Sequence, residues 1–331
     1  MSNFKHSLSF STDDPFLKGF QEVVFSVSDF ERSINFFQKV CGWKLLNLDS
    51  DRLGLGKLWQ LDESAEIKEA LLYNEGDVEG FLRIVKFEGV KQERIRSGAH
   101  AWDSGGIFDI NIRTPDMDSF YREFLDEGWN GYSDPLRYTF GMYDVSEVLL
   151  KGPDGITIAT MQRFAPPLEG FPHMKKSSRI FNSSLICKDM EVTRDFFLIK
   201  LGFEMFFQTP GLDRKAGHNV LGIPQNLNKD VTVPVDIVRP DIHNYGSIEY
   251  LELKELEGKD CSTHAKPPHL GILMLRFPVK DAESYADRLK NHGVKLESGI
   301  QTVNLAPYGK VKVFAIRTPD GAWLEFMQAL T

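Results

Sequence analysis

The sequence predicts an α+β protein in which one structural unit occurs four times. The first indication is a duplication, because two phrases of the first half return in the second half at offsets of 160 and 166 residues. The first phrase runs from Asp29 to Trp43 and returns from Asp189 to Phe203; the second is Gly152-Pro153-Asp154-Gly155, which returns as Thr318-Pro319-Asp320-Gly321. A repeat with so long a period sets the architecture before any single residue is interpreted.

The second indication is that each half divides again. Asp116 opens a segment with helical spacing of apolar residues that ends at Gly128, and Asp281 opens one that ends at Gly293. Each unit is therefore predicted as an apolar strand, a capping Asp, an amphipathic helix of about three turns, a Gly at the helix end, and further strands. The strands before the caps are rich in β-branched and aromatic residues: Val23–Val27, Phe108–Ile112, Ile180–Ile186 and Leu270–Phe277.

Length and composition predict two domains. The 331 residues are 42% hydrophobic and 12% aromatic, which is enough for two buried cores. We expect an N-terminal extension over 1–18, a first domain over 19–164 with modules 19–95 and 104–164, and a second domain over 179–331 with modules 179–258 and 268–331. Residues 165–178 are predicted to be a linker, because prolines and a basic cluster interrupt the strand pattern there.

Charge and cysteine content narrow the class of protein. The net charge of −8, without a block of Lys or Arg, argues against a nucleic-acid partner. The sequence contains no apolar run of membrane-spanning length and no signal-peptide pattern, so we expect a soluble cytoplasmic protein. Three cysteines without a CxxC spacing argue against a disulfide framework and a thiolate metal site. Exposed strand edges between modules make a homodimer plausible.

The order of motifs resembles a known superfamily. A first strand followed by VSDFERSINFFQKVCGW, further strands and a closing TPDGAWLEF resembles the vicinal oxygen chelate superfamily, which includes glyoxalase I, bleomycin resistance proteins and extradiol dioxygenases. The resemblance covers nearly the whole chain and is closest to two-domain, four-module members. It implies four βαβββ modules paired into two glyoxalase-like half-barrel domains, with each half of the chain closing around a funnel-shaped cavity. The reaction is set by the site and not by this scaffold.

The resemblance also implies which positions face the cavities. In that superfamily a metal is usually held by a residue on the first strand of each module and a carboxylate on the last strand. The first-strand positions here, none of which is His, are Glu22, Asp109, Asn182 and Met274. The last-strand positions are Ala159 and Glu325 and, from an alignment of LRIVKFEG with LELKELEG, Arg83 and Glu252.

The N-terminal cavity is expected to present Glu22, Arg83, Asp109 and Ala159. A guanidinium between two carboxylates takes the place of a dication, because it neutralises the same charge through bidentate hydrogen bonds. We therefore interpret this half as metal-free. Its charged residues form either an ion-pair network that holds the barrel together or a substrate-binding site centred on Arg83.

The C-terminal cavity is expected to present Asn182, Glu252, Met274 and Glu325. Glu325 and Glu252 could hold one divalent cation, Mg²⁺, Mn²⁺ or iron, although a thioether suits none of these as a further ligand. Without a metal, two facing carboxylates would share a proton and supply a general acid or base. Ferrous ring cleavage would require two imidazoles beside a carboxylate, and only Glu325 of that set is present.

Three further residues lie near the expected cavity. Tyr308 is placed to orient or protonate an oxyanion, and His218 lies in a segment predicted to lie at the cavity mouth. His269 would approach the site only if a bulge shifted its strand by one residue.

Two classes of function follow. The first is an enzyme that acts on a small aromatic or oxygenated molecule by lyase or isomerase proton transfer, with Glu325, Glu252, Tyr308 and His218 as its catalytic candidates. The second is a binding protein that sequesters a hydrophobic compound, as bleomycin resistance proteins do, and an extradiol-type dioxygenase is a third alternative. Buried carboxylates favour the enzyme, because a passive pocket has little reason to bury them.

Overall fold

The computed structural model describes residues 8–11, 14–211, 215–243 and 245–330, and four modules follow one another along the chain. The first consists of β1 (Glu22–Ser26), α1 (Phe30–Phe36), β2 (Lys44–Asn47), α2 (Arg52–Leu58), β3 (Glu66–Tyr73) and β4 (Phe81–Glu88). The second consists of β5 (Asp109–Arg113), α3 (Met117–Asp126), β6 (Asn130–Gly131), β7 (Leu136–Phe140), β8 (Tyr143–Lys151) and β9 (Thr157–Ala165). The third consists of β10 (Asn182–Ile186), α4 (Met190–Asp195), β11 (Glu204–Thr209), β12 (Val235–Arg239) and β13 (Ser247–Leu251). The fourth consists of β14 (Gly271–Pro278), α5 (Ala282–Asn291), β15 (Gln301–Leu305), β16 (Gly309–Arg317) and β17 (Trp323–Ala329).

The four predicted helix starts are confirmed as capped N-termini. The carboxylate of each capping Asp accepts a hydrogen bond from a backbone N–H two or three residues further on, as expected of N-caps; the caps are Asp29, Asp116, Asp189 and Asp281. The glycines after the helices all have left-handed backbone angles, which end a helix at little steric cost: Gly42, Gly128, Gly202 and Gly293. The repeated sequence phrases therefore encode one repeated strand–helix corner.

The strands form two curled sheets of the half-barrel type. The eight-stranded sheet has the order β15-β16-β17-β14-β1-β4-β3-β2. The nine-stranded sheet has the order β11-β12-β13-β10-β5-β9-β8-β6, with β7 paired to β8. The predicted α+β fold of paired modules is confirmed.

The modules pair differently from the sequence expectation. Strand β1 pairs antiparallel with β14, and β5 pairs antiparallel with β10. The first module therefore shares a sheet with the fourth, and the second shares a sheet with the third. The expectation that consecutive modules close around a common cavity is wrong, because every module presents the same kind of first-strand edge and the local sequence does not select a partner.

Four of the helices, α1, α3, α4 and α5, lie between the two sheets. One apolar cluster contains residues of both sheets and of α1, α3 and α5. Phe36 at the end of α1 contacts Phe124 of α3, with ring centroids 5.0 Å apart. The Tyr285 hydroxyl of α5 donates to the Leu201 carbonyl at the end of the α4 corner, 2.9 Å away. Each sheet therefore buries one face against helices and leaves the opposite face to form a cup.

Candidate active site

The first cup is the face of the eight-stranded sheet that points away from α1 and α5. Strand register places Glu22 opposite Arg276, and Arg276 opposite Glu325. Arg83 lies on the next strand, opposite Val24. The charged side chains of Glu22, Arg83, Arg276 and Glu325 are all completely buried, although burial of charge is costly unless each group is paired.

The charged groups of the first cup satisfy one another. Arg83 donates to Glu22 in a fork, with Nε–Oε1 and Nη2–Oε2 distances of 2.7 and 3.1 Å. Arg276 donates from Nη1 to Glu22 and from Nε to Glu325 Oε2, the latter at 2.7 Å. The Tyr308 hydroxyl donates to Glu22 Oε2 at 2.6 Å. Every carboxylate oxygen of Glu22 therefore accepts at least two hydrogen bonds.

Two indoles complete this network from above the sheet. Trp59, directly after α2, donates from Nε1 to Glu325 Oε1 at 2.7 Å, and Trp323 donates to the same oxygen at 3.3 Å. Glu69 accepts from Arg83 Nη1 at 2.7 Å. The segment between β2 and β3 thus contributes α2 and the Trp59 indole, which close the cup.

Neither Glu22 nor Glu325 is free to act as an acid or base in the first cup, although Glu69 Oε1 has no hydrogen-bond partner among the described residues. Burial acts to raise the pKa of Glu22, but the charges of Arg83 and Arg276 outweigh burial and hold that pKa below its ordinary value. Burial and the Glu22 charge raise the pKa of the Tyr308 phenol well above its ordinary value. The network interpretation of Arg83 is thus the one that fits, with Arg276 as a second guanidinium that the sequence analysis did not identify.

The second cup is the face of the nine-stranded sheet that points away from α3 and α4. One end is apolar and closed, since residues of loops 216–233 and 251–256 pack on Leu149, Ala159 and Ile186. The other end is polar, and register brings its residues together across neighbouring strands. Its members are Asp109, Asn111, Arg113, Glu147, Met161, Arg163, Asn182, Ser184, Ser247 and Glu249.

Amides and hydroxyls connect the middle of this polar end. The Asn111 Nδ2 atom lies 3.1 Å from Asp109 Oδ1, 2.9 Å from Asn182 Oδ1 and 3.0 Å from Ser184 Oγ. The Asn182 amide donates onward to Ser247 Oγ at 2.8 Å. These contacts fix the orientation of Asn182 and Asp109, two residues that the sequence analysis assigned to different cavities.

Three carboxyl groups share the polar end and perturb one another. Burial raises the pKa of the Glu249 carboxyl to about 8, and the charges of Asp109 and Glu147 act in the same direction. Burial also raises the pKa of Asp109 to about 7, against hydrogen bonding with Ser184 that acts to lower it. The pKa of Glu147 is raised by burial as well, although Tyr138 donates to it at 2.5 Å. The second cup thus holds carboxyl groups that change charge near neutral pH.

Glu249 differs from the other two carboxylates in its surroundings. Among the described residues, no hydrogen-bond donor reaches its oxygens, and its side chain is only partly buried. Its strand position matches that of Arg83 in the other sheet, since Ser184 pairs with Glu249 as Val24 pairs with Arg83. Glu249 is therefore the carboxylate of this cup that has no hydrogen-bond donor among the described residues, whereas Asp109 accepts from Asn111 and Glu147 accepts from Tyr138.

The remaining predicted site residues lie elsewhere. Glu252 follows the end of β13 and lies 3.4 Å from Lys254, so it does not meet Glu325, which belongs to the other sheet. Met274 is fully buried in the first cup, with its sulfur 3.9 Å from Arg276 Nη2. His218 is exposed in the loop before β12. The expected pairing of Glu252 with Glu325 as catalytic residues or metal ligands is wrong.

His269 and Ala159 also have other surroundings than expected. The His269 ring accepts from the Glu93 backbone N–H at 3.1 Å, at the start of β14. Ala159 lies in the apolar end of the second cup, opposite Asn111. Neither supplies a polar group to a cup.

The metal expected from the superfamily does not fit this set of side chains. No group of three or more His, Cys, Asp or Glu residues in the described part of the chain is arranged to hold a metal ion. In the first cup the carboxylates Glu22 and Glu325 are already bound by guanidinium groups. In the second cup Ala159 stands at a ligand position and supplies no donor atom.

A surface cleft of about 680 Å³ lies beside the apolar end of the second cup. Its lining includes Arg94, His100 and Lys151 together with Trp102 and Tyr132. The two aromatic residues pack against the apolar cluster of the cup, but the cleft contains none of the cup's carboxylates. We therefore place the candidate site in the polar end of the cup and not in the cleft.

Comparisons with known proteins agree with this fold. Residues 179–326 match the model of the Glyoxalase/Bleomycin resistance protein/Dioxygenase superfamily. Glyoxalase I from Zea mays is similar in structure, with a TM-score of 0.61 and 16% identity over 94% of this chain and 92% of that chain. A provisionally named dioxygenase from Bacillus subtilis subsp. subtilis str. 168 has a TM-score of 0.56 and 12% identity, over 96% of this chain and 87% of that chain.

The class defined by these findings is a two-sheet protein of paired βαβββ modules. Residues 179–326, in the second half of the chain, match the Glyoxalase/Bleomycin resistance protein/Dioxygenase superfamily model, and the fold of the whole chain is similar to that of the solved structures named above. A search among curated proteins gives no match. No helix in the described part of the chain is long and apolar enough to cross a membrane.

Proposed function

We propose that the polar end of the second cup is the active site of an enzyme that moves a proton on a small aromatic or oxygenated molecule, in a lyase or isomerase reaction. The observation that carries this proposal is the group of three carboxyl groups Asp109, Glu147 and Glu249 at the polar end of the cup, where burial raises the pKa of Asp109 to about 7 and that of Glu249 to about 8, and also raises the pKa of Glu147. A general acid or base is most effective when its pKa lies near the working pH.

In this proposal Glu249 exchanges the proton with the substrate. The Glu249 side chain is partly exposed, and no hydrogen-bond donor among the described residues contacts it. An oxygen of the ionised carboxylate is therefore free to accept a proton from the substrate. Asp109 is almost fully buried and accepts a hydrogen bond from the Asn111 amide. Its negative charge helps to raise the pKa of Glu249, so that these two carboxyl groups titrate as a pair. Because the two groups are coupled, they hold about one proton between them near neutral pH, and the ionised form accepts while the protonated form donates.

The proposal is tested by hydrogen exchange in heavy water. Aromatic α-hydroxyketones and 2-oxo acids are incubated with the full-length protein, and loss of the proton beside the carbonyl is followed by NMR. We expect exchange above the uncatalysed rate, and we expect Glu249→Gln to reduce it at least about 100-fold, because general-base catalysis contributes 10²–10⁴-fold.

The matched control is Glu252→Gln. Glu252 is buried three residues further along the chain but pairs with Lys254 outside the polar end. Its substitution should leave exchange unchanged. Equal losses in both variants, or exchange that survives Glu249→Gln, would count against the assignment of Glu249.

A binding protein of the bleomycin resistance type is the second candidate. The observation in its favour is the exposed aromatic pair Phe206 and Phe207 on β11, the outer strand of the same sheet. Tight binding of an aromatic compound without any proton exchange would favour this alternative. A metal-dependent dioxygenase gains no support, because the side chains of neither cup fit its metal.

Three expectations from the sequence stay predictions. They are the cytoplasmic location, the homodimer and the absence of a nucleic-acid partner. Sedimentation of the purified protein would test the homodimer directly.

A further inference from the structure

The second cup holds two arginines that lack the partners found in the first cup. Arg113 is on β5 and Arg163 is on the adjacent strand β9. Register places Arg113 opposite Met161, and Arg163 lies two residues further along β9 on the same face. Side chains at such diagonal positions on neighbouring strands are close enough for long groups to reach one ligand.

Each of the two guanidinium groups has one buried nitrogen that donates to no acceptor among the described residues. The Nε atoms of Arg113 and Arg163 are buried and have no hydrogen-bond partner in the described residues. Among the described residues, neither Arg113 nor Arg163 has a carboxyl group within ion-pair distance. Buried polar groups are almost always paired in folded proteins, so an unpaired one requires an explanation.

The first cup shows what guanidinium groups in this fold bind when partners are present. There Arg83 and Arg276 bind Glu22 and Glu325, with nitrogen–oxygen distances of about 2.7 Å. In the second cup the strand position that corresponds to Arg83 holds a carboxylate, Glu249, opposite Ser184. The guanidinium groups of this cup come instead from the C-terminal ends of β5 and β9. Among the described residues, no carboxylate forms an ion pair with either cation, although Arg113 contacts the Met161 sulfur and is near enough to Glu147 and Glu249 to interact with their charges.

Each guanidinium instead lies over an aromatic ring. Arg113 lies 4.6 Å from the centroid of Phe181, and Arg163 lies 4.7 Å from that of Tyr143. Such stacking fixes the plane of a guanidinium while leaving its edge free for a bidentate acceptor. The rings of Tyr138 and Phe140 are in the same part of the sheet and supply an apolar surface.

We propose that the molecule bound in the second cup carries a carboxylate, which Arg113 and Arg163 bind while the surrounding rings pack against its apolar body. This inference rests on the proposed function of the cup and names its class of substrate as an aromatic or apolar carboxylic acid. A single negative charge fits better than a phosphate dianion, because Glu147 and Glu249 already contribute negative charge nearby.

The test uses calorimetric titration of the full-length protein with two acids and their neutral amides. The probes are phenylacetate and mandelate, compared with phenylacetamide and mandelamide. We expect each acid to bind at least about 10-fold more tightly than its amide, and Arg163→Met and Arg113→Met to weaken acid binding about 10- to 100-fold without changing amide binding.

Arg122→Met is the matched control, because Arg122 is exposed on α3 and its Nε contacts only the Asp118 carbonyl. Its binding constants should equal those of the unmodified protein. Should a methionine variant fail to fold, Arg163→Lys keeps the charge but loses the planar fork, and weaker acid binding is still expected. Equal affinity for acids and amides, no binding of any probe, or acid binding unaffected at Arg163 and Arg113 would overturn the proposal.

The two proposals fail in different ways. Acid binding that depends on Arg163, with no proton exchange on any bound acid, would remove the enzymatic function and leave the carboxylate site intact. Exchange on neutral ketones that depends on Glu249, without preference for acids, would keep the enzyme and remove the carboxylate site.

Discussion

Glu249 occupies in one sheet the place that Arg83 occupies in the other. Both lie on the strand parallel to the first strand of their module, at the same register. In the first cup a guanidinium at this place binds Glu22 and Glu69. In the second cup a carboxylate at this place meets Asp109 and Glu147, so negative charges repel one another. The first cup, with Arg83 at this position, is a closed ion-pair network. The second cup, with Glu249 at the same position, holds carboxyl groups that titrate near neutral pH.

The raised pKa of Glu249 predicts how stability depends on pH. An acid whose pKa is higher in the folded state favours folding at low pH, and that contribution is lost as the pH rises through the folded pKa. For Glu249 the loss falls between its ordinary pKa of 4.5 and about 8. Glu249→Gln should therefore raise the free energy of unfolding by about 1–3 kcal/mol at pH 9 and change it little at pH 5.

Urea denaturation at the two pH values measures this difference. The exposed Glu257→Gln serves as the control, and its effect should be small at both pH values. A Glu249→Gln variant that is destabilised equally at pH 5 and pH 9 would show that the pKa of Glu249 is not raised in the folded protein.

The sequence identified part of this site at the residue scale. Asp109 and Asn182 were found because the helix-capping Asp fixes the register of each first strand. Glu249 was missed because Gly89 directly follows β4 whereas Gly258 lies well beyond the end of β13, so that an alignment at these two glycines shifts the strands relative to one another. Alignment of the strands themselves, Phe81 with Ser247, gives Arg83 and Glu249 as equivalents.

At the scale of elements, the helix α2 closes the first cup. It begins after the N-cap Asp51, whose carboxylate accepts from the Gly54 N–H at 3.0 Å. It packs against β15 and β16, and Trp59 at its end carries the hydrogen bond to Glu325. The capped helices that follow the first strands were predictable because a cap is local in sequence, whereas α2 was not, because its packing surface comes from the fourth module.

Removal of the Trp59 donor should weaken this closure. Trp59→Phe keeps most of the apolar contact but leaves Glu325 Oε1 with only the longer bond from Trp323. Because the acceptor is charged and buried, we expect a loss of about 1–3 kcal/mol in the free energy of unfolding. Proton exchange at the second cup should be unchanged.

Trp43→Phe is the comparison for this prediction. Trp43 is equally buried but donates to the neutral Ser178 carbonyl at 3.2 Å. Its substitution should cost less, about 0.5–1.5 kcal/mol. Chemical denaturation of both variants distinguishes the two costs, and equal losses would mean that the charge of Glu325 adds nothing to the bond.

At the scale of the whole molecule, each sheet is built from both halves of the chain. The sequence predicted the four modules and their fold because their motifs repeat, but the choice of partners depends on contacts between distant segments, Asn111 with Asn182 in one sheet and Glu22 with Arg276 in the other. The side chain of Asp154 adds a link within the first half by accepting from Ser28 N and Oγ at 2.9 and 2.8 Å. Asp320 makes the corresponding contact with Lys188 N in the second half at 3.1 Å.

This pairing predicts that neither half is a complete folding unit. Fragments 1–178 and 179–331 each lose one partner for the central strands, since β1 is separated from β14 and β5 from β10. We expect each fragment alone to self-associate through the open edges, and a mixture to form a one-to-one complex with the near-ultraviolet circular dichroism of the intact chain. Light scattering with size-exclusion chromatography checks this. Monomeric fragments that unfold as cooperatively as the whole would contradict it.

The seam between β1 and β14 also has a consequence for biosynthesis. Residue 22 emerges from the ribosome some 250 residues before its neighbour Arg276, and translation at about 5–20 residues per second makes that delay longer than 10 seconds. During this interval the nine-stranded sheet, formed by the second and third modules, can assemble first. Strand β1 of the first module meanwhile has an unpaired edge, because β14 has not yet been synthesised. Nascent chains of this protein should therefore depend on chaperone protection of their first hundred residues until the terminal module is released.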